Sequence, residues 1–245
     1  MAYGNSPIQE AIFDVRFKFS DSPSMDILES LWKSLEETFP KKETIQNFQT
    51  RVEFNPTAKE PVINSVSEQY GLRLVSQDGS RVLQIKRDGI TFSRLNGYDG
   101  WDQFWTEAIN LLSKYSDVCK PEYAERIALR YINSIQIPET IFKLEDYFLT
   151  VPQIGSTIQH SVLRFFSQVM IKDAASETLA IINQTINPPK REGETTVILD
   201  IDAFQESVRI EPSSDAIAQS IEQIKTFRTS IFEGSITEKT RNLFK

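Results

Sequence analysis

The chain has 245 residues, of which 40% are hydrophobic and 25% charged, and its formal net charge is −7. This balance is typical of a folded globular protein, and the acidic excess disfavours nucleic-acid binding, because neutralising phosphates requires basic residues. The single cysteine, Cys119, excludes an internal disulfide and a cysteine-based metal cluster. No apolar run approaches the roughly 18 residues of a membrane span, and the N-terminus lacks the pattern of a secretory signal. We therefore expect a cytoplasmic protein that does not contact membranes.

The first predicted strand, residues 11–19, alternates apolar and polar side chains. One face consists of Ala11, Phe13, Val15, Phe17 and Phe19, and the other of Ile12, Asp14, Arg16 and Lys18. A period of two is typical of a strand with one buried face. A helix is predicted next, with Ser22 as its cap, Pro23 in its first position and an apolar stripe that continues to Phe39.

Four strands and a second helix complete the first half. The strongest β signals are the pairs Asp78-Gly79 and Asp88-Gly89, which predict tight hairpin turns because glycine allows a positive φ. The predicted elements are strands at 46–54, 70–76, 81–87 and 90–95, a loop at 55–65 and a helix at 99–118.

The second half follows a similar order. Its predicted elements are a strand at 125–137, a short helix at 139–149, strands at 158–172, 177–187 and 194–204, and a helix at 214–232. Gly234 is expected to end the last helix, and Ser235 with Glu238 to form a capping box for a final turn. Placing Arg130 against Arg16 aligns "LRY" with "VRF".

These elements predict an α+β fold built from two tandem units, residues 1–120 and 121–245, packed as one compact body. Each unit consists of a strand, a helix, an antiparallel meander and a helix. Together they are expected to form one continuous curved sheet with helices on one face, TATA-binding-protein-like or helix-grip-like. Such an analogy carries no functional information by itself.

Two short segments carry a family resemblance. "PIQEAIFDVRF", residues 7–17, and "FEGSITEKTRNLF", residues 232–244, resemble a patchily distributed family of uncharacterised prokaryotic proteins of about this length. The matching positions are Pro7, Ile8, Glu10, Ala11, Arg16, Phe232, Ser235, Thr237 and Leu243. The resemblance implies no known activity, and the patchy distribution suits a mobile or defence-linked gene cluster.

The sharpest site hypothesis concerns Asp14, Arg16 and Arg130. If the two units are equivalent, Arg16 and Arg130 lie near a pseudo-twofold axis, where their guanidinium groups could together bind an anionic group. The alternative interpretation is a solvated sheet face with cross-strand ion pairs.

Asp200 and Asp202 form a second candidate, because two carboxylates on one strand face can hold Mg²⁺. A metal site would also require a third acidic ligand, and the alternative is a solvated strand end. The only histidine, His160, cannot form a zinc site with Cys119 alone. Phosphate-binding glycine loops are absent from the sequence, so no cofactor is predicted.

An aromatic cluster opens the second helix. Tyr98, Trp101, Phe104 and Trp105 could stack on nucleic-acid bases, or could belong to the core, as their helical spacing favours.

The sequence therefore predicts a non-enzymatic binding module with no catalytic residues. It is expected to engage a protein partner, a second copy of the chain or an anionic ligand through its open sheet face or its last helix. The alternative is a metal-dependent nuclease or a nucleic-acid-binding saddle protein.

Overall fold

A continuous antiparallel sheet organises the computed structural model, which describes residues 3–53, 62–140, 142–153, 155, 162–187 and 194–245. Its nine strands are β1 (Ile8–Lys18), β2 (Lys41–Glu53), β3 (Val62–Val75), β4 (Arg81–Lys86), β5 (Gly89–Leu95), β6 (Tyr123–Ile137), β7 (Phe166–Lys172), β8 (Leu179–Asn187) and β9 (Thr195–Ile210). The helices are α1 (Met25–Lys33), α2 (Trp101–Cys119), α3 (Ser214–Ser235) and α4 (Glu238–Asn242).

Strands β1 and β6 pair at the centre of the sheet. Outward from β1 the order is β5, β4, β3 and β2, and outward from β6 it is β9, β8 and β7. The predicted α+β class and the curved antiparallel sheet with helices on one face are confirmed.

The core lies between this sheet and the helices. The predicted apolar face of β1 is buried at Ala11, Phe13, Val15 and Phe17. Helix α3 contacts β6 and β9. Burying each large apolar side chain contributes about 1.5–3 kcal/mol. This asymmetric burial leaves the polar residues of the central strands on the opposite, open face of the sheet.

Two helix predictions near the N-terminus and in the middle of the chain are wrong in extent. Ser24, not Ser22, caps α1 by accepting from the Ile27 amide, and α1 ends at Lys33, before a series of turns that leads to Phe39. The helix predicted at 139–149 is reduced to a single 3₁₀ turn at Leu144–Asp146.

The end of α3 also differs from the prediction. The helix continues through Gly234, because the neighbouring Ile231, Phe232 and Ser235 are buried, and this packing outweighs the roughly 1 kcal/mol that glycine costs in a helix. The Ser235 hydroxyl donates back to the Ile231 carbonyl oxygen, so Thr237 caps α4 instead.

The strand predictions differ mainly at their ends. Strand β2 begins at Lys41, β3 already starts at Val62 inside the predicted loop, and β9 continues to Ile210. Strand β7 begins at Phe166, and the earlier predicted positions 158–161 lie outside the described residues.

The two predicted glycine turns are not alike. Gly79 has a positive φ of 74°, as predicted, but Gly89 pairs with Lys86, so the second turn consists of Arg87 and Asp88. Gly89 is required for a different reason: a Cβ there would lie 2.1 Å from the Val15 carbonyl oxygen. The close approach of β1 to β5 therefore demands glycine.

Within the described residues, the helices contain no stretch that is both long and apolar enough to cross a lipid bilayer.

Candidate functional site

A network of charged side chains occupies the open face at the centre of the sheet. We call it the charged network; it comprises Asp14, Lys86, Arg126, Arg130, Asp200 and Asp202. The strands β4, β1, β6 and β9 carry these residues to one face by their alternation. Three carboxylates thus face three cations, and the formal charges of the network cancel.

Asp14 lies at the centre of one half of the network. Arg126 Nη1 donates to Asp14 Oδ1 at 2.9 Å, Thr91 Oγ1 donates to Oδ2 at 2.7 Å, and Lys86 Nζ lies 3.6 Å from Oδ2. The other terminal nitrogen of Arg126 donates to Asp202 at 3.1 Å. The guanidinium of Arg126 therefore bridges two carboxylates of different strands.

Arg130 and Asp200 form the other half. Arg130 Nε and Nη2 donate to the two carboxylate oxygens of Asp200 at 2.8 and 2.7 Å, and Asn183 Nδ2 donates to the same carboxylate at 3.1 Å. The hydrogen bonds that Arg130 donates to Asp200 raise the pKa of Arg130. Burial raises the pKa of Asp202 in spite of the nearby Arg126 and Arg130.

The structure does not bring Arg16 and Arg130 together. In the β1–β6 register Arg16 lies opposite Arg126, and Arg130 lies opposite Ile12, so the two arginines are four positions apart, about 13 Å along the strands. Arg16 is exposed, whereas the guanidinium of Arg130 is engaged by Asp200. The joint anion-binding role of Asp14, Arg16 and Arg130 stays a prediction.

Asp200 and Asp202 share the open face, as the sequence predicted, but their carboxylates face arginines. Among the residues that the structure describes, no group of three or more histidine, cysteine, aspartate or glutamate side chains could hold a metal ion. His160 lies outside the described residues. Cys119 is buried beside Tyr115, and burial raises the pKa of its thiol to about 12.

A cavity of about 590 Å³ lies on the helix-covered side of the sheet. It is bounded by the N-terminal segment Tyr3–Ile8, the start of α2 and the C-terminal half of α3. We call it the aromatic cavity, since its lining includes Tyr3, Tyr98, Trp101, Tyr131 and Phe232. Of the predicted aromatic cluster, Tyr98 and Trp101 thus line this cavity, whereas Phe104 is buried in the core.

Two tyrosine hydroxyls meet in this cavity. Tyr98 and Tyr131 lie 2.7 Å apart at their oxygens, and burial raises the pKa of both. Both groups therefore stay protonated at neutral pH. Because one hydroxyl proton is used in the mutual hydrogen bond, the pair retains one further proton that it can donate.

Arg228 of α3 is the unusual charge in the aromatic cavity. Its guanidinium lies 3.8 Å from the centre of the Tyr131 ring, and Nη2 donates to Thr229 Oγ1 at 2.9 Å. Its Nε is buried and has no hydrogen-bond partner among the described residues. Burial lowers the pKa of Arg228, and the opposing influences come from Tyr131 and Tyr98, with no carboxylate among them.

The other charges that line the aromatic cavity are paired. Lys225 lies 2.7 Å from Glu222, Glu233 accepts from Arg241 at 2.9 Å, and Asp99 accepts from Arg94 at 2.8 Å. Among the described residues, Arg228 is therefore the cavity-lining charge without a counter-ion.

Arg228 was not predicted as a site residue. The buried apolar residues of α3 include Ile217, Ile221, Ile224 and Ile231, and Arg228 follows Ile224 by four positions, so it lies on the inward-facing side of the helix. The signal that could have identified Arg228 is a charged residue at a helix position where the spacing favours an apolar one.

No protein-family model matches the chain, and comparison with curated proteins gives no match either. The resemblance to a prokaryotic family therefore stays a prediction.

Proposed function

We propose that this protein is a non-catalytic binding module that holds a small anionic ligand in the aromatic cavity, with Arg228 as the counter-ion. The observation that carries this proposal is the absence, among the described residues, of a carboxylate paired with Arg228. Arg228 is half-buried, its Nε is buried, and it has no carboxylate partner, so an arriving anion gains a charge-assisted interaction in a partly desolvated site.

The size and lining of the cavity support a small-molecule ligand. A volume of about 590 Å³ falls within the range of known ligand sites, roughly 300–1,000 Å³. Such sites combine apolar walls with a few polar groups. The aromatic side chains supply the walls, while Arg228 and the Tyr98–Tyr131 hydroxyl pair supply the polar groups.

The charged network is a weaker candidate for anion binding. Each of its arginines already donates to a carboxylate, and an incoming anion would have to displace Asp14, Asp200 or Asp202. The same neutrality disfavours a nucleic-acid saddle, whose affinity would depend on uncompensated cations.

The tyrosine hydroxyls favour binding over proton transfer. Because burial raises the pKa of Tyr98 and Tyr131, they are suited to donate hydrogen bonds and poorly suited to accept a proton from a substrate at neutral pH.

The proposal also keeps the other predictions made from the sequence. On both sides of the β1–β6 pair the strands follow outward in reverse chain order, four beyond β1 and three beyond β6, which supports a tandem repeat whose second unit has one strand fewer. A cytoplasmic location in a prokaryotic cell and a protein partner or second copy on the open face stay predictions.

The proposal is tested with naphthalene-1-sulfonate, an aromatic monoanion, in calorimetric titrations of the wild type and of Arg228→Met. We expect one saturable site in the wild type and at least a tenfold loss of affinity in R228M, because a charge-assisted hydrogen bond contributes about 1.5–3 kcal/mol. Methionine keeps the apolar stem of the side chain and removes the charge.

The matched control is Arg16→Met, which removes an exposed arginine on the opposite side of the sheet. We expect it to bind the probe like the wild type. Absence of binding in the wild type, or equal affinity in R228M, would overturn the proposal. A loss confined to R16M would move the anion site to the open face.

A further inference from the structure

We infer that the ligand of the aromatic cavity is a hydrophobic acid with a single negative charge, such as a monocarboxylic acid, rather than a phosphorylated compound. This inference rests on the proposed function and specifies the chemical class of its ligand.

The charges of the cavity lining favour a ligand with one negative charge. Lys225, Asp99 and Glu233 each have a partner of opposite charge, which leaves one positive charge, that of Arg228. A monoanion neutralises this charge completely. A phosphate monoester would bring a second negative charge into a partly desolvated site with no cation left to match it.

The two carboxylates that line the cavity already hold the nearest arginines. Asp99 accepts from Arg94 and Glu233 accepts from Arg241. These two arginines are therefore not available to match the second negative charge of a dianion.

The cavity also offers apolar surface to the body of a ligand. The faces of Trp101 are taken up by Trp105, stacked at 5.5 Å, and by Lys225, at 4.5 Å. Tyr3, Pro7, Ile8 and Phe232 provide the remaining apolar lining. When the apolar body of the ligand lies along these residues, its acid group lies at Arg228.

Arg130 is an example in this chain of how a guanidinium binds a carboxylate. Its Nε and Nη2 donate side by side to Asp200. Arg228 has a free Nε, and its Nη2 donates to Thr229 only. Because Nε of Arg228 is buried, the guanidinium must turn towards the cavity to bind a carboxylate through two nitrogens, as Arg130 does. The exposed part of the guanidinium can contact the acid group without such a turn.

The experiment compares three probes with the same ring system at pH 8: 1-naphthoate, 1-naphthyl phosphate and 1-naphthamide, which carry one, two and no negative charges. Titrations of the wild type are expected to give an affinity for naphthoate at least tenfold above that for the amide and for the phosphate. R228M should abolish the preference for naphthoate over the amide.

The outcomes separate the two proposals. Tighter, Arg228-dependent binding of naphthyl phosphate would refute the inference of a monoanionic ligand and leave the proposed function standing. Equal binding of naphthoate and naphthamide, with no effect of R228M, would refute both.

Discussion

The arginines on the two sides of the sheet differ in whether a carboxylate accompanies them. On the open face, Arg126 and Arg130 donate to Asp14, Asp202 and Asp200. On the helix-covered side, Arg228 stacks on Tyr131 and has no carboxylate among the described residues. The paired arginines connect neighbouring strands, and the unpaired one is the arginine that we propose as the ligand contact.

Strand β6 connects both environments through neighbouring residues. Arg130 and Tyr131 are adjacent in the chain, so their side chains project to opposite faces. Arg130 contacts Asp200 on one side, while Tyr131 supports the guanidinium of Arg228 on the other. The carboxylate partner of Arg130 gives it a structural role, and the lack of one at Arg228 among the described residues is the basis of the proposed ligand contact.

The largest effect is expected for Arg126→Met. Its guanidinium bridges Asp14 and Asp202, whose side chains are only 15% and 21% exposed, and removing it leaves both carboxylates without their main partner. We expect the free energy of unfolding to fall by about 2–4 kcal/mol, measured by urea denaturation at pH 7.

Arg16→Met is the matched control, because Arg16 lies directly opposite Arg126 but is exposed. Its effect should stay within about 0.5 kcal/mol. If the two variants were equally stable, the charged network would have no structural role.

The second prediction concerns pH. Burial raises the pKa of Asp202 above its unfolded value, so its contribution to stability is fully present at low pH and is lost as the pH rises through the folded pKa. The wild type should therefore lose stability relative to Asp202→Asn as the pH rises above the unfolded pKa of about 4, measured by urea denaturation at several pH values.

Asp173→Asn provides a control of opposite sign. Hydrogen bonds from Ser176 lower the pKa of Asp173, so the wild type should lose its advantage over D173N as the pH falls. Parallel pH profiles for D202N and D173N would contradict the assigned environments of the two aspartates.

A much smaller effect on stability than that of R126M is expected for Arg228→Met. Because no carboxylate is left unpaired when this guanidinium is removed, the free energy of unfolding should change by less than about 1 kcal/mol or even rise. The measurement is the same urea denaturation as for R126M. A loss as large as that of R126M would show that Arg228 stabilises the fold and would remove the reason to regard it as a ligand contact.

The strands of this protein were largely predictable because alternation is a local property. Residues 11–19 and 125–137 show a period of two, and both form central strands. The helix at 139–149 was not predictable in the same way, since its apolar spacing is satisfied by a single 3₁₀ turn held against the rest of the fold. Gly234 was predicted to end α3, but the packing of its buried neighbours continues the helix through it.

The candidate site was only partly predictable. Alternation correctly placed Asp14, Arg16, Asp200 and Asp202 on the polar faces of their strands. It could not identify their partners, because Arg126 reaches Asp14 over 112 residues of chain and Asp202 over 76.

From the chain alone one can read which side of each strand is polar, the acidic net charge and the presence of a single cysteine, because these depend on composition and short-range spacing. Which charges meet depends on the register of β1, β6 and β9, and on how α3 packs over the sheet. Folding therefore determined that Arg130 has a carboxylate and Arg228 does not, since a counter-ion is a matter of distance in space and not of position in the sequence.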